Sequence, residues 1–369
     1  MTRSVPFFDY KKAFLKDEEA LADITRDVIR RGAFILQRDL FDLEESLAER
    51  TGARYAVGVG NATDGLFMLC RAAGFREGDE VLISSHTMIA TAAGIRFTGA
   101  IPVPCEVGKD HQLDPVDAER RITARTRAIM PTQLNGRCAD MESLQAVCKR
   151  HKLLLLEDSA QALGASYGHR YAGTFGLGGV ISFYPAKTLG CLGDGGCVLT
   201  NDDAVHERLL RYRDFGRDAR GEVICWALNS RLDNLQAAFL AHRLKKYDRM
   251  VARRREIAAR YRERLSDLDS VVLPPGPSQE SGRFDIFQNY EIEADHRDDL
   301  RSFLEKRGVG TLLPWGGKPV HLHRHLGFAQ SLPFTERLFE TVLLLPMNAF
   351  LENDDVAFVC DQIRAFYQA

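Results

Sequence analysis

Residues Lys152 to Ala165 read KLLLLEDSAQALGA, four leucines that run straight into Glu157 and Asp158. Leu153 to Leu156 lack the alternation of a half-exposed strand, and a short unbroken apolar run is what a strand covered on both faces requires. The same unit recurs on either side. YAVGV from Tyr55 precedes a helical pattern from Ala62, EVLI from Glu80 precedes one from Met88, and IPVPCEV from Ile101 precedes one after Asp114. RAIMPT from Arg127 precedes a helix from Asp140, and KLLLLE leads through a loop into VISFY, Val180 to Tyr184. This rhythm predicts an α/β fold with a mostly parallel central sheet flanked by helices. In such sheets ligands bind beyond the carboxyl ends of the strands.

Farther along, Arg231 to Leu265 reads as one long helix with apolar residues at Leu232, Leu235, Ala238, Phe239 and Leu244, followed by a basic run, Arg253 to Arg255, expected to be a solvated face. Pro274 to Gly282 is the clearest loop, and beyond it come an expected strand at Ile286 to Ile292 and a helix at Arg297 to Arg307. The expected division is a large domain over residues 1–245 and a smaller α+β domain over 246–369.

With 49 basic and 51 acidic side chains the net charge is −2, which gives no electrostatic reason to expect nucleic acid or an anionic membrane as partner. No apolar run approaches the ~20 residues of a membrane span, and MTRSVPFFDYKK lacks the apolar centre of a secretory signal. The eight cysteines include no C-x-x-C pair, so reduced core thiols in a cytoplasmic protein are expected.

Four stretches at strand ends carry polar chemistry. GVGNATDG, Gly58 to Gly65, joins a strand to a helix start, where unpaired N–H groups and the helix dipole favour an anion; a plain Asn61 or Thr63 cap is the alternative. Glu157 and Asp158 close a buried strand, and a desolvated carboxylate needs a cation or several donors, unless both face solvent. In ISFYPAKTLGCLGDGG, Ile181 to Gly196, a lone lysine, Lys187, sits between core strands in a glycine-rich loop. Poor hydration there lowers an amine's pKa and makes it a nucleophile, and the glycines allow close approach of a flat ligand. A mobile loop with a strand-terminal lysine is the plainer reading. In ALNSRLDNLQAAFL, Asn229 or Ser230 caps the long helix, with Asp233 in its first turn, or forms a further anion contact with Arg231.

The ordered set GNATDG, SSHTMIAT, PTQLNGRCADM, EDSAQALGA, SFYPAKTLGCLGDGG and NSRLDNLQAA resembles the DegT/DnrJ/EryC1/StrS family of sugar aminotransferases that use pyridoxal 5′-phosphate, from about Phe34 to Phe350. The resemblance implies a fold-type I architecture and a homodimer with its active sites at the subunit interface. Position by position it makes Lys187 the Schiff-base lysine and Asp158 the partner of the pyridine nitrogen. It puts Gln161 beside the ring hydroxyl, Ala62, Thr63 and Ser182 around the phosphate, and Asn229 on the phosphate of the opposite subunit. The implied reaction moves nitrogen from an amino acid, usually L-glutamate, to a nucleotide-linked 3-keto or 4-keto deoxyhexose, giving a nucleotide-linked amino sugar for polysaccharide, glycan or antibiotic assembly.

Three departures stand out. Met88 occupies a place where the family usually has an aromatic ring stacked on the cofactor; a thioether packs on a π-face with less area, and His86 is a possible substitute. Gln133 and Asn135 stand where relatives often carry histidine and tyrosine, so substrate contacts are expected to differ. His321, His323 and His325 in HLHRH would share one face of an extended strand, which raises a metal site; the family has none there, no metal is expected, and His321 is placed near the active-site mouth instead. The alternatives are a dehydrating member of the family, against which Lys187 counts, and a regulatory member without turnover. Outside the family a nicotinamide oxidoreductase is the rival, weakened by glycine spacing that misses G-x-G-x-x-G.

Overall fold

The computed structural model describes residues 3–277 and 282–368; Ser278 to Ser281 of the expected loop lie outside the described residues. Helices α1 (Tyr10–Leu15), α2 (Glu18–Arg31) and α3 (Arg38–Thr51) come first. Strand and helix then alternate through β1 (Tyr55–Val59), α4 (Ala62–Ala72), β2 (Glu80–Ser84), α5 (Ile89–Arg96), β3 (Ile101–Cys105), α6 (Pro115–Arg120), β4 (Thr126–Met130), α7 (Met141–His151) and β5 (Leu154–Asp158). Two short strands, β6 (Ser166–Tyr167) and β7 (Arg170–Tyr171), precede β8 (Gly178–Ser182) and β9 (Gly196–Thr200).

The central sheet has seven strands in the order β1-β9-β8-β5-β4-β2-β3. Only β9 runs against the rest, pairing antiparallel with both β1 and β8, so the expected mostly parallel α/β sheet is what forms. Its strands are apolar on both faces because helices cover both: one core contains Leu43, Leu82, Ile129 and Leu240, the other Val57, Leu69, Ile83 and Leu156. Local caps set the helix starts. Asn61 accepts the Asp64 N–H at 2.8 Å ahead of α4, and Asp140 accepts from Ser143 at 3.1 Å ahead of α7. Gly65 lets α4 lie close on the sheet, since a Cβ there would meet Val180 at 2.9 Å.

After α8 (Asp203–Arg213) come α9 (Asn234–Leu244) and α10 (Tyr247–Leu265). The expected single helix is therefore two, broken at Lys245 and Lys246; no glycine or proline marks the break. The new direction carries the Tyr247 hydroxyl to the Leu163 carbonyl at 2.6 Å. The cap expectation also fails: Asp233 is the residue before α9, while the Ser230 hydroxyl donates to Asp64 at 2.6 Å and accepts from the Gly60 N–H at 3.0 Å.

Beyond α10, β10 (Val271–Val272), β11 (Arg283–Phe284), β12 (Tyr290–Ala294), α11 (Arg297–Lys306), α12 (Pro333–Thr341), β13 (Val342–Leu345) and α13 (Asn353–Tyr367) complete the chain. Strands β10-β12-β13 form a second sheet, and β11 joins β6 and β7 in a third. The second sheet shares an apolar core with α10, α11 and α13 that also takes in Val5, which bridges to Val309. The strand expected over Ile286–Ile292 starts only at Tyr290, because Phe287 adopts φ 52° and turns the chain. The basic run is not a solvated face either. Arg254 is buried and donates to the carbonyls of Phe287, Gln288 and Met347 at 3.0–3.1 Å; three consecutive helical residues spread over more than half the circumference, so one of them had to face inward.

Candidate active site

At the carboxyl ends of β5 and β8, beside the start of α4, a cavity of about 420 Å³ opens, a size suited to a small cofactor. Lys187 and Asp158 both line it, as do Ala62, Thr63, Ser182 and Met88. Asp158 closes β5. Its Oδ2 accepts from the Thr91 hydroxyl at 2.5 Å and its Oδ1 from the Ala160 N–H at 3.1 Å. Thr91 is held by Thr87 at 2.7 Å, and Thr87 by Thr132 at 2.6 Å, so three hydroxyls aim the carboxylate. Burial pushes its pKa up; Thr91, Ala160 and the charge of Lys187 pull the other way. Burial lowers the Lys187 amine to about 8, with Asp158 opposing.

The loop that carries Lys187 is braced from the segment that leads into β12. Gln288 accepts from the Thr188 N–H and hydroxyl, both at 2.8 Å, and donates to the Ala186 carbonyl at 3.0 Å. At the far end of the cavity α4 begins, and its first N–H groups, Ala62 and Thr63, have no carbonyl one turn back to bond. Gln161, which lines the cavity, accepts the Asn135 N–H on its Oε1 at 2.7 Å, which leaves its amide N–H groups as the donors it can offer a ligand.

A second cavity of about 530 Å³ lies outside the first and is bordered by His86, Asn135, Asn289, Glu291 and Arg301. Gln161 and Trp315 border both. Asn289 donates to Asn135 at 2.8 Å.

This arrangement has the form of an enzyme site: a neutralisable amine, a carboxylate and an anion cradle converge on one enclosed volume. A family model, the DegT/DnrJ/EryC1/StrS aminotransferase family, matches residues 15–364. The chain belongs to this aminotransferase family. Among its relatives, the dTDP-3-amino-3,4,6-trideoxy-alpha-D-glucose transaminase of Streptomyces venezuelae is 38% identical over 98% of this chain and 96% of its own. A pleiotropic regulatory protein of Geobacillus stearothermophilus is 35% identical over 99% of both. The crystal structure of S. venezuelae DesV in complex with a ketimine intermediate superposes with a TM-score of 0.95 at 37% identity, covering 100% of both chains.

Within the aminotransferase, several residues singled out in the sequence stand elsewhere. Gln133 is buried with its amide consumed: it donates to Glu157 at 2.6 Å and accepts from the Ala139 N–H at 2.8 Å, so it borders neither cavity. Glu157 also accepts from the Gly173 and Phe175 N–H groups at 2.8 and 2.6 Å, which satisfies the second carboxylate of the leucine strand without a ligand. His321 is likewise interior, between Ser85 at 2.6 Å and Glu336 at 3.1 Å. It belongs to a pair of 3-10 turns, Val320–Leu322 and Arg324–Leu326, so the three histidines of HLHRH do not share the face of a strand. Asn229 is exposed, on a segment that bridges back to Asp214, and does not border the cavity of its own chain.

His86 does not replace Met88 as a cofactor clamp. It is fully buried and Met88, half-exposed, is the one that lines the cavity. The His86 Nδ1 accepts from the Trp315 indole N–H at 2.9 Å, and its Nε2 faces both oxygens of Glu291 at 3.1 and 3.2 Å. Glu291 also takes His111 Nδ1 at 2.7 Å, and His111 Nε2 reaches Glu293 at 3.3 Å. The two carboxylates raise His111 to about 10, while the imidazoles hold Glu291 well below the usual carboxylate range. His86, His111 and Glu291 bring three metal-ligating atoms within 4.8 Å of one another. An indole N–H only donates, so the His86 proton is on Nε2, the atom a metal would need. The cluster is a hydrogen-bonded relay.

Proposed function

We propose that the protein uses pyridoxal 5′-phosphate to move an amino group from an amino acid, L-glutamate, to the keto carbon of a nucleotide-linked deoxyhexose, yielding a nucleotide-linked amino sugar. The observation that carries this reading is Lys187 facing Asp158 across one cavity whose far end is the open start of α4. A fully buried carboxylate whose pKa burial raises, against the pull of Thr91, Ala160 and Lys187, fits a protonated pyridine nitrogen that would favour its charged form. The α4 amides and Ser182 fit a phosphate, and the donor end of Gln161 fits the ring hydroxyl. When bound, the cofactor supplies an electron sink and a carrier for the amino group. Asp158 would keep a proton on the ring nitrogen. Lys187, lowered by burial to about 8, would in its free amine form take a proton from the substrate carbon and return it to the carbon on the other side of the transferring nitrogen. We place the keto group at C3, because the S. venezuelae relative is named for a 3-amino sugar.

The decisive experiment offers the purified protein L-glutamate and a panel of nucleotide-linked 3-keto and 4-keto sugars, with products read by mass. Amination of a 3-keto member is expected. Nitrogen accepted from glutamate and handed to no sugar would shift the reading to a regulator, which the name of the G. stearothermophilus relative favours.

Two further expectations concern the cofactor. Only a neutral amine attacks an aldehyde, so uptake of pyridoxal 5′-phosphate by the apoprotein should rise with pH, reach half its limit near pH 8, the pKa of Lys187, and level off above it. A lysine at its ordinary ~10.4 would keep rising through pH 9, and a stopped-flow absorbance profile separates the two. Gly196 packs on the start of α4, where a Cβ would meet the Ala62 nitrogen at 2.8 Å. Gly196→Ala is expected to weaken cofactor binding roughly 10- to 100-fold; an unchanged Kd would remove Ala62 from the phosphate site.

We also propose a homodimer in which Asn229 reaches the neighbouring copy's phosphate. The segment before it exposes Val223, Ile224 and Trp226, the last 91% accessible, an apolar stretch that a second subunit would cover. Sedimentation of Trp226→Glu protein as monomers would support this. The proposed division into domains falls near residue 246, with the Val5 segment joining the second. No described helix is long and apolar enough to cross a membrane, and a cytoplasmic location is proposed with the nucleotide-sugar substrate.

A further inference from the structure

Trp315 stands in an unusual backbone state. Its φ of 53° and ψ of 32° lie in the left-handed region, ahead of Gly316 and Gly317 with φ of 70° and 80°. A bulky residue persists there only where its surroundings over-determine it. The surroundings here are specific: the indole N–H ends on His86 Nδ1 at 2.9 Å, and the two rings meet edge to face, centroids 6.3 Å apart at 88°. His86 cannot turn, because Glu291 holds its other nitrogen and Phe339 packs on its ring with centroids 4.7 Å apart. Glu291 in turn is fixed by His111.

Trp315, so fixed, borders both the Lys187 cavity and the second cavity. A pyranose presents an apolar C–H face and a polar rim. An indole face with the Asn135 and Asn289 amides beside it matches both. We propose that Trp315 is a specificity-determining wall against which the sugar ring packs as its keto carbon reaches Lys187, and that His86, backed by Glu291 and His111, is the positioning residue that fixes the indole. The inference rests on the nucleotide-sugar reading above. It assigns no part in the amino-acid half of the reaction to the relay.

The test uses the cofactor-loaded protein and treats the two half-reactions separately. Trp315→Phe keeps a ring and loses the N–H. It is expected to raise KM for the accepted keto-sugar about tenfold or more, with the single-turnover rate with L-glutamate within about twofold of the parent. His86→Gln should raise the same KM and leave the glutamate step alone. Equal losses in both half-reactions, or an unchanged sugar KM in Trp315→Phe, would overturn the wall.

A readout free of turnover comes from the tryptophan count. The chain has two tryptophans, so Trp226→Phe protein reports on Trp315 alone. Adding His86→Gln should shift its emission to the red as the indole loosens; identical emission overturns the relay. In the same background dTDP-glucose or UDP-N-acetylglucosamine should alter Trp315 emission. If the parent aminates no keto-sugar, the functional reading fails separately, and absence of any emission change with both nucleotides would then remove the wall too.

Discussion

Lys187→Ala protein is expected to lose at least ~10³-fold in kcat, with its visible absorbance gone and its fold intact. The amine is buried deeply enough to be pulled to about 8, so its removal relieves a desolvation cost, and the melting temperature should hold or rise. What is lost is a proton carrier fixed by Gln288, whose bonds to Thr188 and Ala186 fasten the loop on both sides of the lysine. Small exogenous amines should restore part of the rate, because the cavity vacated by the side chain admits them. Hydride trapping followed by peptide mapping gives the sharpest check. A label on any residue but Lys187 contradicts the assignment.

Asp158→Asn is the second large effect. The amide has the shape of the carboxylate and keeps a partner for Thr91, yet it cannot hold a proton on the ring nitrogen. Removing one member of a buried charge pair costs about 3–5 kcal/mol, which corresponds to a fall of roughly 10²- to 10⁴-fold if it appears in the barrier. Asp158→Glu, with the charge kept and the geometry displaced, should lie between. A rate for Asp158→Asn within tenfold of the parent would place the ring nitrogen elsewhere. Thr91→Val tests the support: the carboxylate stays and its aim is lost, so a smaller fall in kcat with a normal melting temperature is expected.

Much of this site was legible in the sequence because its parts sit where strands end. Asp158, Lys187 and the start of α4 each follow an apolar run directly, and strand ends in a parallel sheet converge by construction. The residues that were not legible arrive from far away. Gln288 lies 100 positions from Thr188, Glu291 lies 205 from His86, and Trp315 lies 229 from the same histidine; no local pattern announces such meetings. Gln133 illustrates the opposite error. It stands in a promising motif, but Glu157 needed a donor inside the fold and took it. Arg254 and the break between α9 and α10 fail for a shared reason: each depends on carbonyls far away in the chain, those of Phe287 and Met347 for Arg254 and that of Leu163 for Tyr247, which helical periodicity alone does not contain.

The turn between β2 and α5 has a consequence for how the protein could change over evolution. Two adjacent positions on it serve different masters: Thr87 supports Asp158 through Thr91, and His86 holds the Trp315 indole. A lineage that retuned its sugar preference by rebuilding this turn would disturb the chemistry shared by every substrate. New preferences should therefore accumulate on the far side of the outer chamber, around Asn289 and Arg301, where substitution leaves the hydroxyl ladder untouched.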